Sequence, residues 1–470
     1  PVRDQRTVSH APSRLSALAW GLAVAARRSL GRWPVCERLI QRLRRAFPGL
    51  KPPVAAPPPM PGGQPEALAE PLPFVDYEEA SARDVLALLA PGDNALPAGW
   101  LAGQPGRRFF AVSPEADQPP GARQEGPGLW RVSLPWPGGK GLEDAPLDEA
   151  RTVALLEFFD TLRREHGLVE ASVLPLSPAW EPLADALRDA SGWPRVEPGA
   201  GESLDDALLR ALPLASIVIV TYNNLAYNKL CLESLLRHRG YPNFEIIVVD
   251  NASADGTPDY LREMEAAHPE ITAILNPDNK GFAAANNQGL AVARGERLVL
   301  LNNDTVVPRG WLTRLLRHLE DPSVGLAGPV TNSAGNEARI PVSYSSHLEV
   351  PGFALAHYAR HPGPERFDIA VLAMYCVAMR RDVFKRVGPL DERFGVGMFE
   401  DDDYAHRVRL GGLRVVCCDD VFVPHFGETS FNKLKTDGRY RALFEENRAK
   451  FESKWGVAWK PHTYRKGFSG

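Results

Sequence analysis

Apolar positions fall into two regimes along this chain. From residue 216 to about 430 they form short, unbroken, β-branched runs, each followed by a stretch with helical spacing. The runs SIVIV at 216–220, EIIVV at 245–249 and LVLL at 298–301 read as strands buried on both faces of a sheet. Between the first two, Leu225, Leu232, Leu235 and Leu236 share one helical face. A helix over 258–267 opens on Pro258, a short strand covers 272–275, and a helix spans 282–294. A helix at 310–319 and a strand at 325–330 follow, then a loop-rich stretch to about 368. Next come a strand at 370–379, helices at 381–387 and from about 400, and a strand at 413–418. Alternating strands and helices predict an α/β fold with a mainly parallel sheet. The last forty residues read as a basic helical extension over 431–470.

Before residue 216 the pattern weakens. Residues 51–73 are rich in Pro, Ala and Gly and read as a semi-rigid linker. They follow a basic helical segment, 1–50, whose apolar stretch at 15–26 is shorter than the ~20 residues a bilayer span needs. Arg27, Arg28, Arg32, Arg42, Arg44 and Arg45 lie after it, so the segment offers a peripheral membrane contact or a helix packed on a partner. Residues 74–201 read as a small α/β or mostly helical domain of open role. It has helix-like pieces at 80–89 and 147–166, and strand candidates at 108–112 and 171–174.

Composition narrows the class. A chain of 470 residues has room for two or three domains, and 44% hydrophobic with 24% charged residues fits a globular protein. A net charge of −4 gives no footprint for nucleic acid. The five cysteines, at 36, 231, 376, 417 and 418, lack zinc spacing and read as reduced thiols in a cytosolic protein. In a strand, Cys417 and Cys418 would face opposite sides.

Chemistry gathers where the apolar runs stop. They end in Thr221-Tyr222-Asn223-Asn224, in Asp250 followed by NASADG, and in Asn302-Asn303-Asp304. Ligands of open α/β sheets bind at the carboxyl ends of strands, so three polar ends imply one shared site. Taken singly, each has a plain alternative: a helix cap at Asn223 or Asn224, an Asn/Asp turn, a polar strand end. Asn279-Lys280-Gly281-Phe282 opens a helix, and Lys280 with the amides there suits a phosphate. Neither a P-loop nor a dinucleotide fingerprint is present where one would be needed. Asn303 and Asp304 are hard oxygen ligands that suit Mg²⁺ or Mn²⁺ on a diphosphate. The acids Glu400, Asp401, Asp402 and Asp403 could favour a helix N-terminus, and Asp403 could pair with Arg407. Otherwise one of them is a general base. His425 lies in VFVPHFGETS, a tight loop suited to a ligand.

Six segments in this order, SIVIVTYNN, EIIVVDNASADGT, NKGFAAANNQG, LVLLNNDTVVPRGWL, FEDDDYAHRVRLGG and VPHFGETS, resemble the family 2 glycosyltransferases of GT-A fold over 213–430. The tail SKWGVAWKPH is similar to the subgroup that builds rhamnose-rich or other bacterial cell-surface polysaccharides. The resemblance implies that Thr221, Tyr222, Asn223 and Asp250 hold the nucleoside, with Asn279 and Gly281 lining the same pocket. Asn303 and Asp304 would meet the donor diphosphate, and Asp304 matches the last acid of the family's metal-binding DxD motif. His425 matches a late histidine that reaches the metal, Asp401 the catalytic base, and Glu400 its neighbour. The DxD position reads Asn302-Asn303-Asp304, so the first acid is missing. Expected is an inverting, metal-dependent transfer from a UDP-, dTDP- or GDP-sugar to a hydroxyl of a glycan or lipid-linked glycan, in the cytoplasm or on the inner membrane face. Two alternatives stand beside it. A sugar nucleotidyltransferase would need a Gly-rich basic loop where TYNNLAYNK stands, and a non-catalytic glycan-binding scaffold would not turn a donor over.

Overall fold

The computed structural model describes residues 84–89, 96, 107–113, 120–126, 129–134, 149–166, 168, 171–191, 193–199, 202–238, 240–361, 363–427 and 439–465. The basic segment 1–50, the linker 51–73 and Cys36 lie outside the described residues. The described residues all belong to one compact unit spanning 59–470.

The first part of this unit holds β1 (Asp84–Leu88), β2 (Phe109–Ser113), β3 (Gly121–Gly126), β4 (Leu129–Ser133), α1 (Glu149–His166), β5 (Ala171–Pro175), α2 (Glu181–Ser191) and α3 (Leu204–Ala211). The strands form a five-stranded sheet in the order β3-β4-β2-β1-β5, parallel except for the edge strand β3. The helix expected over 80–89 is therefore corrected: Asp84–Leu88 is a strand, buried at every position. A short run that is apolar throughout carries no period to separate helix from strand, and here pairing on both sides decides it.

The second part runs β6 (Ala215–Thr221), α4 (Leu225–Arg237), β7 (Phe244–Asp250), α5 (Thr257–Ala267), β8 (Ile271–Leu275), α6 (Phe282–Val292), β9 (Arg297–Asn302), α7 (Trp311–Arg317), β10 (Val324–Val330), α8 (Val350–Arg360), β11 (Arg366–Asp368), β12 (Cys376–Arg380), α9 (Arg381–Val387), α10 (Glu400–Leu410), β13 (Arg414–Phe422) and α11 (Arg439–Trp455). Its eight-stranded sheet has the order β11-β13-β10-β12-β9-β6-β7-β8. β12 runs antiparallel between β9 and β10, and β11 antiparallel on β13. The other neighbouring pairs are parallel, so β6, β7, β8, β9, β10 and β13 all point one way. The stretch 331–368, expected to be loop-rich, contains α8 and β11, and the strand expected at 370–379 is corrected to Cys376–Arg380.

Alternate residues of the central strands feed two cores. Val218, Val249, Leu298 and Leu300 pack on one face, and Ile217, Ile219, Val248 and Val299 on the other. Cys417 and Cys418 divide in the same way, as expected for neighbours in a strand. Burial on both faces explains why these runs lack alternation.

Candidate active site

The strand ends meet laterally. Thr221 pairs in register with Asp250, and Val220 with Asn302, so the polar termini of β7, β6 and β9 lie side by side on one edge of the sheet. β10 and β13 point the same way, which brings Thr331, Asn332 and His425 to that edge as well. Helix α10 ends in the Gly411-Gly412 turn that leads into β13. It therefore runs back along the strand, and its first residues, Glu400 and Asp401, start from the same edge. Tyr404, Ala405 and Val408 anchor its underside in the core.

Asp250 is buried and its carboxylate is committed locally. Oδ1 accepts from Thr221 Oγ1 at 2.9 Å and from the Ser253 hydroxyl, and Oδ2 accepts from Ser253 N at 3.0 Å. Asn223, left-handed at φ 56°, accepts from Ala254 N at 2.9 Å and donates its own amide to Ser253 Oγ at 2.6 Å. Tyr222 beside it stays 44% exposed, so an aromatic face is presented to solvent at this edge. The start of α4 is capped by Asp255 Oδ2, which accepts from Leu225 N at 2.9 Å, and not by Asn223 or Asn224. A turn that reads as punctuation in sequence thus carries two structural groups, Ser253 and Asp255. Asn279 Oδ1 accepts from Gly281 N at 2.9 Å, while Asn251 Nδ2 donates to Gly281 O at 3.1 Å. The phosphate expectation at Lys280 finds its groups engaged: Nζ pairs with Asp278 at 2.8 Å, and its amide donates to Asn251 Oδ1.

Asn303 turns away from solvent and donates to Asn228 Oδ1 at 2.6 Å, so it braces the loop. Asn228 in turn donates to Asn223 O and Thr257 Oγ1, tying all three strand ends together. Its signal in the sequence is an asparagine among the buried positions of α4. Asp304 is 4% exposed, and its Oδ1 lies 3.1 Å from His425 Nε2. His425 is held at its ring and its backbone. The ring stacks on Tyr375 with centroids 4.9 Å apart, Asn332 pairs with the backbone, and Nδ1 lies 3.2 Å from Ser333 O. A carbonyl only accepts, so Nδ1 carries hydrogen. Nε2 then faces the Asp304 carboxylate either as imidazolium or as a lone pair that a cation would bridge. One carboxylate oxygen and one imidazole nitrogen fit Mn²⁺ or Mg²⁺ with the remaining ligands from diphosphate and water. Among the described residues no group of three or more His, Cys, Asp and Glu side chains forms a complete protein cage.

The four acids at the start of α10 separate into two pairs. Asp402 Oδ1 accepts from Trp459 Nε1 at 2.9 Å and lies 3.1 Å from His462 Nε2. Asp403 accepts from Arg407 Nε and Trp455 Nε1, both at 2.9 Å, and from Lys454 Nζ. The residues after 438 are thus part of the site's frame, a contact that sequence spacing could not show. Glu400 is buried with Oε2 lacking a hydrogen-bond partner among the described residues, and Asp401 keeps partial exposure while its three neighbours are buried. Burial pushes both carboxyls above their ordinary range; the Asp401 charge adds to this at Glu400, and the Asp402 charge at Asp401. Met398 and Phe399 precede them with φ of 78° and 73°, a strained entry for non-glycine residues.

Comparison with known proteins bears on what this edge does. Residues 216–388 match Glycosyl transferase family 2. Glycosyltransferase GlyG of Streptococcus pneumoniae serotype 4 is 31% identical over 216 residues, 44% of this chain and 68% of GlyG. The chain belongs to glycosyl transferase family 2. The O-antigen biosynthesis protein RfbC of Myxococcus xanthus is 30% identical over 239 residues, 47% of this chain and 18% of RfbC. The chain spans a quarter or less of the length of the first two curated relatives it matches. Among solved structures, the mannosyltransferase PcManGT from Pyrobaculum calidifontis in complex with GDP-Man and Mn²⁺ has a TM-score of 0.36 and 22% identity, covering 46% of this chain and 57% of that one.

Within this glycosyl transferase family 2 chain, the polar ends of the segments that carried the resemblance lie at one sheet edge, with 428–430 outside the described residues. Three clusters lie along it: Thr221, Asn223 and Asp250 with Asn279 and Gly281; Asp304 with His425; and Glu400 with Asp401. The loop before α10 joins the first to the last. Asn287 Nδ2 donates to Leu390 O at 2.9 Å, and Gly395 packs directly on Gly281.

Proposed function

We propose that this protein is an inverting, metal-dependent glycosyltransferase that moves a sugar from a nucleotide-sugar donor to a hydroxyl of a growing bacterial cell-surface glycan, acting at the cytoplasmic side. The observation that carries the reading is the division of the four acids. Asp402 and Asp403 are engaged by the tail, and Asp401 is left partly exposed with its proton affinity raised, on the edge that holds Asp304 and His425. A base raised toward the working pH is suited to proton abstraction. The polysaccharide context rests on the relative named as an O-antigen biosynthesis protein.

In this mechanism the donor nucleoside lies across the ends of β6 and β7, against Tyr222 and the Asp250 turn. The acceptor oxygen attacks the anomeric carbon from the face opposite the leaving group. A C–O bond forms as the bond to the diphosphate breaks, and the acceptor proton passes to Asp401. Displacement from the opposite face inverts the anomeric centre. Asp304 and His425 would hold Mg²⁺ or Mn²⁺, which supplies Lewis-acid stabilisation of the diphosphate leaving group.

A thermal-shift screen of UDP-, dTDP- and GDP-sugars with Mn²⁺ identifies the donor, since ligand binding to the folded state appears as stabilisation. With that donor, Asp401→Asn is expected to lose about 10²- to 10⁴-fold in turnover while keeping the donor-induced shift. Turnover equal to wild type removes Asp401 from the role of base. Stabilisation without turnover in the wild type favours a binding scaffold.

A further inference from the structure

The stretch from the last turn of α11 onward does more than cover the acids. Between Lys454 and Arg465 it touches α10 and the loop after β10 in turn. Lys454 and Trp455 reach Asp403, Trp459 and His462 reach Asp402, and Thr463 and Arg465 reach Glu337. Glu337 belongs to the loop whose Asn332 and Ser333 hold His425. The tail therefore bridges the helix that opens with the acid pair and the loop that orients the imidazole. Within it, His462 is the residue with a titratable charge at the acid pair. Asp402 and Asp401 face it from α10 and Glu337 from the loop after β10, while the Trp459 ring lies 5.7 Å away. Arg409, on α10, also faces Asp402.

We propose that His462 is a positioning residue for transfer: bound to Asp402 and carrying a positive charge to the start of α10, it keeps Asp401 as the carboxylate that accepts the acceptor's proton. This rests on the reading of Asp401 as the base. The physical argument is one of charge order. Asp402, next in sequence to Asp401, would repel its ionised form. A cation hydrogen-bonded to Asp402 cancels that repulsion and favours ionised Asp401 directly. Consistent with this geometry, Asp402, Asp401 and Glu337 raise the proton affinity of His462 above that of ordinary histidine, against the effect of burial. The imidazole need not touch substrate to act this way.

The test uses the full chain and the donor found by thermal shift. His462→Gln keeps a hydrogen-bond donor near Asp402 and removes the charge. Without the cation Asp401 holds its proton to higher pH, so the acidic limb of the kcat/KM profile moves up by about 0.5 to 1 unit, costing about three- to tenfold on that limb. Donor KM stays unchanged, and His462→Arg, which restores the charge, returns the limb toward the wild-type position. A purely structural tail predicts an equal loss at every pH with the limb in place, and that outcome overturns the proposal. Should His462→Gln not fold, C2 hydrogen exchange of His462, followed by mass spectrometry of a tail peptide from the wild-type protein, gives its midpoint directly. A midpoint above about 6.5 supports the proposal, and one at or below it overturns it. The exchange measurement needs no turnover, so its outcome is separate from failure of the transfer reading.

Discussion

Glu400 and Asp401 place a stability cost at the point where chemistry is proposed. Their proton affinities are raised in the folded protein, by burial first and by neighbouring charge second. A carboxyl raised on folding favours the fold while it is protonated. Its contribution is present below the unfolded value, near pH 4, and is lost as pH rises through the folded value. The wild type therefore gives up stability between mildly acidic and slightly alkaline pH. Glu400→Gln removes one ionisation and supplies a donor to the buried position. It is expected to raise Tm by about 1–3 °C at pH 8. The gain should shrink as pH falls to 5, which differential scanning fluorimetry across that range would show. A constant gain would mean that packing, not charge, limits this position. Four adjacent acids were legible in the sequence, but not which two were engaged. Asp403 pairs with Arg407 as the i,i+4 spacing allows, but the other partners of Asp402 and Asp403 lie more than fifty residues downstream, and no local period reaches that far.

At the scale of elements, the strand ends were the legible part. Apolar runs stopping in Asn, Asp and Thr mark the carboxyl edge, and register confirms that three of them are neighbours. Direction was less legible. β12 reads as apolar like the rest, and only pairing shows it antiparallel between β9 and β10. The helix-opening segment Asn279-Lys280-Gly281-Phe282 shows why close contact matters here. Gly281 sits at φ +87°, and a Cβ built on it would lie 2.2 Å from the carbonyl oxygen of Gly395. That neighbour is backbone, so relief requires moving the loop that leads to Glu400. Gly281→Ala is expected to destabilise by about 2–4 kcal/mol and to weaken donor-induced stabilisation. Gly352→Ala, where nothing lies within 4 Å, serves as the control and should stay within about 0.5 kcal/mol of wild type. Urea titration of both variants reads the contrast, and equal losses would deny the close approach any special role.

The first sheet offered no chemical motif, yet its contacts give it a place in the whole molecule. Asp84 in β1 is fully buried and pairs with Arg108 through both carboxylate oxygens, at 2.9 and 2.7 Å. Its Oδ2 also lies 3.2 Å from Arg309, which stands in the loop that begins at Asn303 and Asp304. A second tie runs from Arg317 to the carbonyl of Ser191 at 2.8 Å. One buried carboxylate thus holds Arg108, just before β2, and Arg309, from the loop after β9 that carries Asp304. Removing a single partner of a buried pair leaves charge uncompensated and costs about 3–5 kcal/mol. Asp84→Asn keeps the shape and removes the charge, so both arginines lose their counterion at once. If the two sheets unfold together, calorimetry of the variant shows one transition displaced to lower temperature. If the first sheet is an independent appendage, an early transition separates from an unmoved main one. The contacts favour the first outcome: the Arg309 loop cannot keep its place on Asp84 while β1 unfolds. The variant should then also respond less to the donor, because the loop carrying Asp304 has lost its far anchor.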